Sequence, residues 1–308
     1  MNRLCNVKHR TYGLPILYTP QLLFYRKDLF NDKAVQNAYK QQTDVRLRPP
    51  VTWYQYNSIA SYFTKANNPD SETEYGRSIA FKHNECFSSE IRVRMRTFGG
   101  RIFDERDNVI FNSHENVKAF NSLIDSFKSC PPDFSTKDRT DIENDLIDGK
   151  VAMIVTFQSI LNKALDKHMS NNIGAALVPG HRAMLGGWCL CINRKSANKE
   201  QAFDFITWAA GNNSAAARMI LSGQSVQKNI IQNDELNFRN VWLKSWEEAY
   251  ADASHAKAAG SNSSSFVLVS TQDEVLYATA KKIINDGATV EEAILWGENE
   301  FRKHFSKL

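Results

Sequence analysis

Two apolar runs decide the fold, Gly174-Ala-Ala-Leu-Val-Pro-Gly180 and then Gly186-Gly187-Trp188-Cys-Leu-Cys-Ile192. The first run closes with a Pro-Gly pair, which predicts a strand that stops abruptly. The second begins with a glycine pair followed by apolar residues, which predicts a loop that enters another strand. Trp188 is therefore expected where a bare backbone loop becomes a strand, a position that suits a flat, uncharged ligand surface.

Strands and helices alternate outward from these runs. Ser196 or Asn198 can cap a helix that starts near Lys199 and continues to residue 221. Thr19-Pro20 predicts a bend between two extended segments. The predicted strands lie at 13–18, 22–25, 78–81 and 151–156, with a small hairpin at 102–111. The predicted helices lie at 52–63, 87–98, 115–130, 141–148, 238–258, 270–285 and 289–305. This alternation predicts a helix-rich α/β protein.

The composition is that of an ordinary globular protein. The 308 residues are enough for two lobes or one large α/β domain. The 38 basic and 34 acidic residues are interspersed, and the net charge of +4 does not indicate a nucleic-acid partner. No apolar run reaches the ~18 residues of a membrane span. The first ten residues lack the apolar region of a signal peptide, so none is expected in this chain.

The five cysteines are odd in number and scattered, which does not describe a disulfide framework. Cys189 and Cys191 lie two residues apart in a predicted strand and point to the same face. They are interpreted as small buried hydrophobic residues rather than as metal ligands or a redox pair.

Motifs of catalysis and cofactor binding are missing from the sequence. It contains no phosphate-binding glycine loop, no His-Glu-x-x-His and no Gly-x-Ser-x-Gly. A glycosidase needs two opposed carboxylates, and nothing singles out a pair among Glu85, Asp104 and Asp148. The sequence therefore predicts a protein without a catalytic residue, a metal or a cofactor.

Aromatic residues recur instead at the ends of predicted strands. In open α/β sheets, ligands bind outside the carboxyl ends of the strands. Aromatic faces beside hydroxyl, amide and carboxylate groups are what a sugar needs, because its apolar ring face packs flat and its hydroxyls form hydrogen bonds. The candidate ligand-binding residues are Tyr18, Thr19, Glu85, Phe87, Phe157, Gln158, Gly186, Gly187, Trp188 and Phe266.

Ordered blocks of sequence give the chain a family resemblance. They run from Tyr12-Gly-Leu-Pro15 through Phe24-Tyr25-Arg-Lys-Asp-Leu-Phe30, then Val51-Thr52-Trp53, Leu146-Ile-Asp-Gly149-Lys-Val-Ala-Met153, Gly186-Gly187-Trp188 to Trp208, and Ala288-Thr289-Val-Glu-Glu-Ala-Ile294. Together they resemble the extracellular solute-binding proteins of ABC sugar importers, the maltose-binding-protein-like group.

This resemblance implies a periplasmic-binding-protein-like fold, in which two α/β lobes hold a sugar in the cleft between them. It puts residues 1–17 and 189–236 in a partial first lobe, and residues 18–188 and 237–308 in a second, complete lobe. By position it puts Tyr18-Thr19 and Gly186 to Trp188 in the two crossovers between the lobes. Glu85 and Phe87 fall in a ligand loop, Phe157-Gln158 where a stacking Trp is common, and Phe266 near another aromatic contact.

The resemblance also implies a partner and a location. The expected function is non-catalytic oligosaccharide binding by a monomer, outside the cytoplasm, for delivery to the membrane permease subunits of an ABC importer. The alternatives are a truncated or split remnant without function, a binding protein for a non-sugar solute such as a polyamine, a phosphodiester or an ion, and a carbohydrate-active enzyme that uses Glu85.

Overall fold

The computed structural model describes residues 5–7, 10–157, 171–222, 225–233, 235, 242–255 and 266–305. Helices and strands alternate along the chain, as the α/β prediction requires. In these parts of the chain, no helix is long and apolar enough to cross a membrane.

A single long strand organises the sheet. β3 (Leu14–Arg26) pairs through its first half with β7 (Leu185–Leu190), and through its second half with β5 (Val151–Phe157) and β6 (Ile173–Leu177), always antiparallel. β4 (Tyr75–Arg77) runs parallel to β5 at the sheet edge. Two further short strands, β1 (Asn6–Val7) and β2 (Arg10–Thr11), form a separate antiparallel pair.

Some helices pack on this sheet and others pack on one another. In chain order they are α1 (Lys27–Asn31), α2 (Lys33–Thr43), α3 (Trp53–Tyr62), α4 (Asn84–Phe98), α5 (His114–Ser126), α6 (Arg139–Ile147), α7 (Lys199–Ala210), α8 (Asn212–Ser222), α9 (Lys228–Ile231), α10 (Leu243–His255), α11 (Phe266–Asp286) and α12 (Val290–Phe305). Single turns of 3₁₀ helix lie at Phe127–Ser129 and Phe134–Thr136.

Local signals explain several helix ends. Thr52 and Gln55 form a reciprocal capping box at the start of α3, which satisfies backbone N–H groups that the first helical turn leaves free. α4 ends at Gly99, whose φ of 85° is a left-handed conformation that glycine adopts without steric cost. The predicted N-cap of α3 at Thr52 and the predicted end of α4 at Gly99 are both confirmed.

Two large apolar clusters form the core. One joins the sheet to α3 and α10 and includes Phe24, Trp53, Ile154 and Trp246. The other lies among α4, α5, α11 and α12 and is rich in phenylalanine, including Phe87, Phe111 and Phe301. Residues 14–190 and 242–305 supply most of both clusters.

The segment after β7 has much less core. Its buried cluster consists of Ala215, Met219 and Ile230. By contrast, α7 and α8 expose large apolar side chains that are each at least half accessible, namely Phe203, Phe205, Trp208, Ile220 and Leu221. Monomeric soluble proteins rarely leave so many neighbouring apolar side chains uncovered.

The structure corrects four details of the predicted elements. β3 continues through Thr19-Pro20 without the predicted bend, because Pro20 pairs with Leu185 within the ladder. Gly186 and Gly187 lie inside β7 rather than in a loop before it. The strand predicted at 78–81 lies instead at Tyr75–Arg77, and the helix predicted from 199 to 221 is divided at Gly211 into α7 and α8.

A disulfide joins Cys5 to Cys189, which corrects the interpretation of Cys189 as a small buried hydrophobic residue. It links the start of the chain to β7 across 184 positions of sequence. Cys191, expected to be buried, is free and exposed. Residues so far apart in sequence give no spacing signal, so only the tertiary fold reveals the pair.

Candidate ligand-binding site

The antiparallel pairing of β3 with β7 brings five of the ten predicted site residues side by side. Across the β3–β7 ladder, Thr19 pairs with Gly186, Tyr18 with Gly187, and Leu17 with Trp188. Directly paired residues in an antiparallel ladder project from the same face, and alternate residues along a strand share that face. Trp188 and Thr19 therefore belong to one face of the sheet, and Tyr18 belongs to the other.

Phe157 joins this face at the end of β5. It pairs with Gln21 in the β3–β5 ladder, two residues beyond Thr19 on the same side of β3. A Cβ atom built on Gly186 would lie 3.1 Å from a Phe157 ring carbon and 3.3 Å from the Thr19 methyl carbon. The missing side chain at position 186 is therefore what lets Phe157 and Thr19 approach the crossover.

Trp188 offers the exposed aromatic surface of this face. Its side chain is 66% exposed although it lies within a strand. An indole in such a position combines a broad apolar face with one N–H donor, the combination that binds a sugar ring and its hydroxyls.

Tyr18 packs on the opposite side of β3. It is buried, and its ring centroid lies 5.9 Å from that of Tyr250 on α10, which stacks in turn on Trp246. Burial, with Tyr250 beside it, raises the pKa of the Tyr18 phenol, so the group stays protonated at neutral pH. Its position supports the strand that carries the site and does not open onto the Trp188 face.

Glu85 and Phe87 lie on a helix rather than in the predicted loop, since α4 begins at Asn84. Glu85 is exposed in the first turn. Phe87 is fully buried, with its ring 4.9 Å from Phe81 and 5.9 Å from Tyr277 between centroids. This core position removes Phe87 from the residues that can contact a ligand in the structure described.

Two predicted residues cannot be placed. Gln158 lies outside the described residues. Phe266 is the first residue of α11, but its side chain also lies outside what the structure describes. The sequence placed Phe266 at the end of a loop, and the backbone makes it the start of a helix.

A small polar recess beside Phe157 was not anticipated. Its walls come from β3, β5, α4, α6 and the segment between β4 and α4. They consist of Gln21, Ala80, Cys86, Ser89, Glu90, Arg139, Ile142, Val155, Thr156 and Phe157. The Arg139 guanidinium lies over the Phe157 ring, 4.9 Å from its centroid. Burial raises the pKa of the Cys86 thiol, which makes it a poor nucleophile.

Sequence reasoning could have found one of these residues. Gln21 lies two positions after Thr19 in an apolar strand, so the period of two already puts it on the same face. Arg139 carried no such signal, because it reaches the recess from a helix more than a hundred residues away.

Buried charged side chains contact Glu90, which lines the recess. Glu90 accepts a hydrogen bond from Arg77 at 2.6 Å, and an Arg94 nitrogen lies 3.6 Å from the same carboxylate oxygen. Arg94 in turn lies over the Trp53 ring at 3.8 Å. These contacts fix the position of Glu90 in the wall of the recess.

Across the described ranges, no three His, Cys, Asp or Glu side chains are placed to hold a metal ion. Asp104, considered above as a carboxylate for catalysis, accepts hydrogen bonds from the backbone N–H groups of Arg106 and Asn108 within its own turn.

The site thus combines an exposed aromatic residue, Trp188, with the antiparallel β3–β7 ladder that carries it. A family model described as bacterial extracellular solute-binding protein matches residues 5–236. The chain belongs to this family.

Relatives of known name agree with this assignment. The chain is 28% identical over 214 residues to a mannitol-binding protein of Pseudomonas aeruginosa, an alignment that covers 66% of this chain and 46% of the relative. It is 24% identical over 202 residues to a putative binding protein of Brucella abortus, with 63% and 45% covered. The chain thus spans about half the length of the curated relatives it matches.

Solved structures share the fold. The maltose-bound MalE3 protein of T. maritima superposes with a TM-score of 0.82 at 19% identity, covering 98% of this chain and 75% of the other. A solute-binding protein of Agrobacterium vitis with bound D-mannitol superposes with a TM-score of 0.80 at 18% identity, covering 98% and 74%. The two-lobe, periplasmic-binding-protein-like fold predicted from the sequence is confirmed.

Proposed function

We propose that this chain binds a sugar or sugar alcohol, without altering it, on the face formed by Trp188, Thr19, Gly186 and Phe157. The observation that carries the proposal is the exposed Trp188 indole, held by the β3–β7 and β3–β5 ladders on the same sheet face as the buried Thr19 and the half-buried Phe157. An apolar ring surface beside polar groups matches the chemistry of a carbohydrate.

The lobes of the proposed binding protein follow the predicted division. Residues 1–17 and 189–236 would belong to the first lobe, and residues 18–188 and 237–308 to the second. The exposed apolar side chains of α7 and α8 support this division, because they set the segment after β7 apart from the closely packed remainder of the chain. Closure of the two lobes around the ligand would be a hinge motion at the β3–β7 crossover.

The proposed partners are the membrane permease subunits of an ABC importer, to which a monomeric binding protein would deliver its ligand outside the cytoplasm. The Cys5–Cys189 disulfide supports that location, because disulfides persist in oxidising compartments. No cofactor, metal or nucleic acid enters the proposal.

Isothermal titration tests the ligand class. D-mannitol, ribitol, D-tagatose and maltose form the panel, because similar proteins carry these ligands in their names or structures. We expect binding of at least one compound at a stoichiometry of one, and recovery of that compound unchanged as judged by NMR. Turnover of the ligand would replace the proposal with an enzyme, and folded protein that binds none of the four would refute it.

A further inference from the structure

The recess beside Phe157 contains a buried acceptor without a donor. Gln21 is 2% exposed, and no described residue donates a hydrogen bond to its side-chain oxygen Oε1. Its side chain projects from the same face as Phe157 and Val155, which also line the recess. A buried polar atom without a partner destabilises the folded state, so its retention here points to a partner that arrives from outside.

We propose that this recess receives one hydroxyl group of a neutral ligand, with Gln21 Oε1 as its acceptor and the Arg139 guanidinium as its donor. The inference rests on the proposed function and extends it by naming which ligand group enters and which side chains select it.

The size of the recess limits what can enter. Its cavity volume is about 10 Å³, close to the smallest space that holds one water-sized group. A sugar ring would not fit, but a single hydroxyl projecting from a ligand held beside Phe157 would.

The donors and acceptors of the recess select an alcohol over an anion. A hydroxyl can donate to Gln21 Oε1 and accept from Arg139 at the same time, whereas a carboxylate can only accept. Glu90, Gln21 and Arg139 are the charged or amide groups of the wall. Glu90 is engaged by Arg77 and Arg94, and Arg139 forms no ion pair with any carboxylate in the described part of the chain.

A cycle that combines protein and ligand changes tests the contact. The protein variants are Gln21→Met, which keeps the length of the side chain and removes the acceptor, and Arg139→Gln. The ligands are D-mannitol and its 1,6-, 2,5- and 3,4-dideoxy analogues, which cover every hydroxyl because mannitol is two-fold symmetric. Isothermal titration gives the dissociation constant of each pair.

We expect Gln21→Met to weaken mannitol binding about tenfold, the loss of one hydrogen bond to a ligand. For one of the three analogues, the loss of affinity relative to mannitol should be about tenfold smaller in Gln21→Met than in wild type. Arg139→Gln should likewise reduce the loss of affinity that this analogue shows relative to mannitol. A coupling of this kind reports contact, and a merely structural role would not produce it.

Asn116→Leu is the matched control. Asn116 is also a fully buried amide whose side-chain oxygen has no donor, but it lies outside the recess and its Nδ2 donates to the carbonyls of Arg101 and Phe111. Asn116→Leu should lower the melting temperature and leave the mannitol affinity unchanged. Gln21→Met should not lower the melting temperature of the ligand-free protein, because the Gln21 oxygen has no bond to lose there.

Three results would overturn the inference. One is mannitol binding that survives Gln21→Met unchanged, which leaves the proposed function intact. A second is a drop in melting temperature for ligand-free Gln21→Met as large as that of Asn116→Leu, which would mean that a resident water already bonds the oxygen. The third is D-mannonate binding more tightly than mannitol to the wild type. Folded wild type that binds no mannitol would refute both this inference and a mannitol-like ligand under the proposed function.

Discussion

Thr19 and Gly186 lie opposite each other in the β3–β7 ladder, and a Cβ atom on Gly186 would lie 3.3 Å from the Thr19 methyl carbon and 3.1 Å from the Phe157 ring. Contacts this short require the neighbours to move. A side chain at position 186 would therefore push apart the junction between β3, β7 and the end of β5.

Gly186→Val should disturb this junction. We expect a loss of about 1 to 3 kcal/mol in the free energy of unfolding, the usual effect of overpacking, together with weaker ligand binding as Phe157 is displaced. Urea denaturation and titration measure the two effects. Ala197→Val, in an exposed loop, is the control and should change neither. Wild-type stability and affinity in Gly186→Val would show that the junction is not closely packed.

The Cys5–Cys189 disulfide should contribute substantially to stability. A crosslink that closes a long loop restricts the unfolded chain, and removing it typically costs about 2 to 5 kcal/mol. We expect Cys189→Ser, or reduction of the wild type, to lower the urea midpoint. Cys191→Ser removes an exposed free thiol and should leave the midpoint unchanged. Equal midpoints for oxidised and reduced wild type would argue against the disulfide.

Glu90 should be essential to the buried charges around Arg77 and Arg94. Glu90→Gln would leave the guanidinium groups of Arg77 and Arg94 buried without a counter-charge. Breaking a buried pair in this way costs about 3 to 5 kcal/mol. The exposed Lys128–Asp125 pair provides the control, since Asp125→Asn should change the free energy of unfolding by less than about 1 kcal/mol. Similar losses for the two variants would contradict the burial of Glu90.

Ionisation of the buried Cys130 thiol should make the folded protein less stable in alkaline solution. Burial raises the pKa of its thiol from near 9 to about 11 in the folded protein. Folding therefore favours the neutral thiol. Its contribution to the free energy of unfolding is complete below pH 9 and is lost as the pH rises to 11. We expect the wild type to lose about 2 to 3 kcal/mol more than Cys130→Ala over this interval, since each pKa unit corresponds to about 1.4 kcal/mol. Parallel pH profiles of the two proteins would be inconsistent with a buried thiol.

Local chemistry made much of this fold predictable. The capping residue Thr52 and the stop at Gly99 act within a few residues, and both helices were predicted close to their observed bounds. The apolar run of β5 predicted its strand in the same way. Signals of this kind act within one turn or one strand and need no tertiary information.

Long-range pairing accounts for the errors. Pro20 and Gly186-Gly187 carry the local signals of a bend and a loop, but the β3–β7 ladder holds all three in extended structure. The face on which Phe87 lies depends on where α4 begins, and the sequence placed that start three residues too late. Gln21, Arg139 and Phe157 line the recess from three separate segments of the chain, so no sequence motif predicted it.

The central claim is that the Trp188 face of the β3–β7 crossover binds the ligand. Its most direct test compares Trp188→Ala with Trp208→Ala, since both indoles are 66% exposed and only Trp188 belongs to the proposed site. Titration with the panel compound that the wild type binds most tightly should show affinity reduced about tenfold in Trp188→Ala, the loss of one aromatic contact worth roughly 1.4 kcal/mol, and wild-type affinity in Trp208→Ala. Equal affinities for all three proteins would contradict the account.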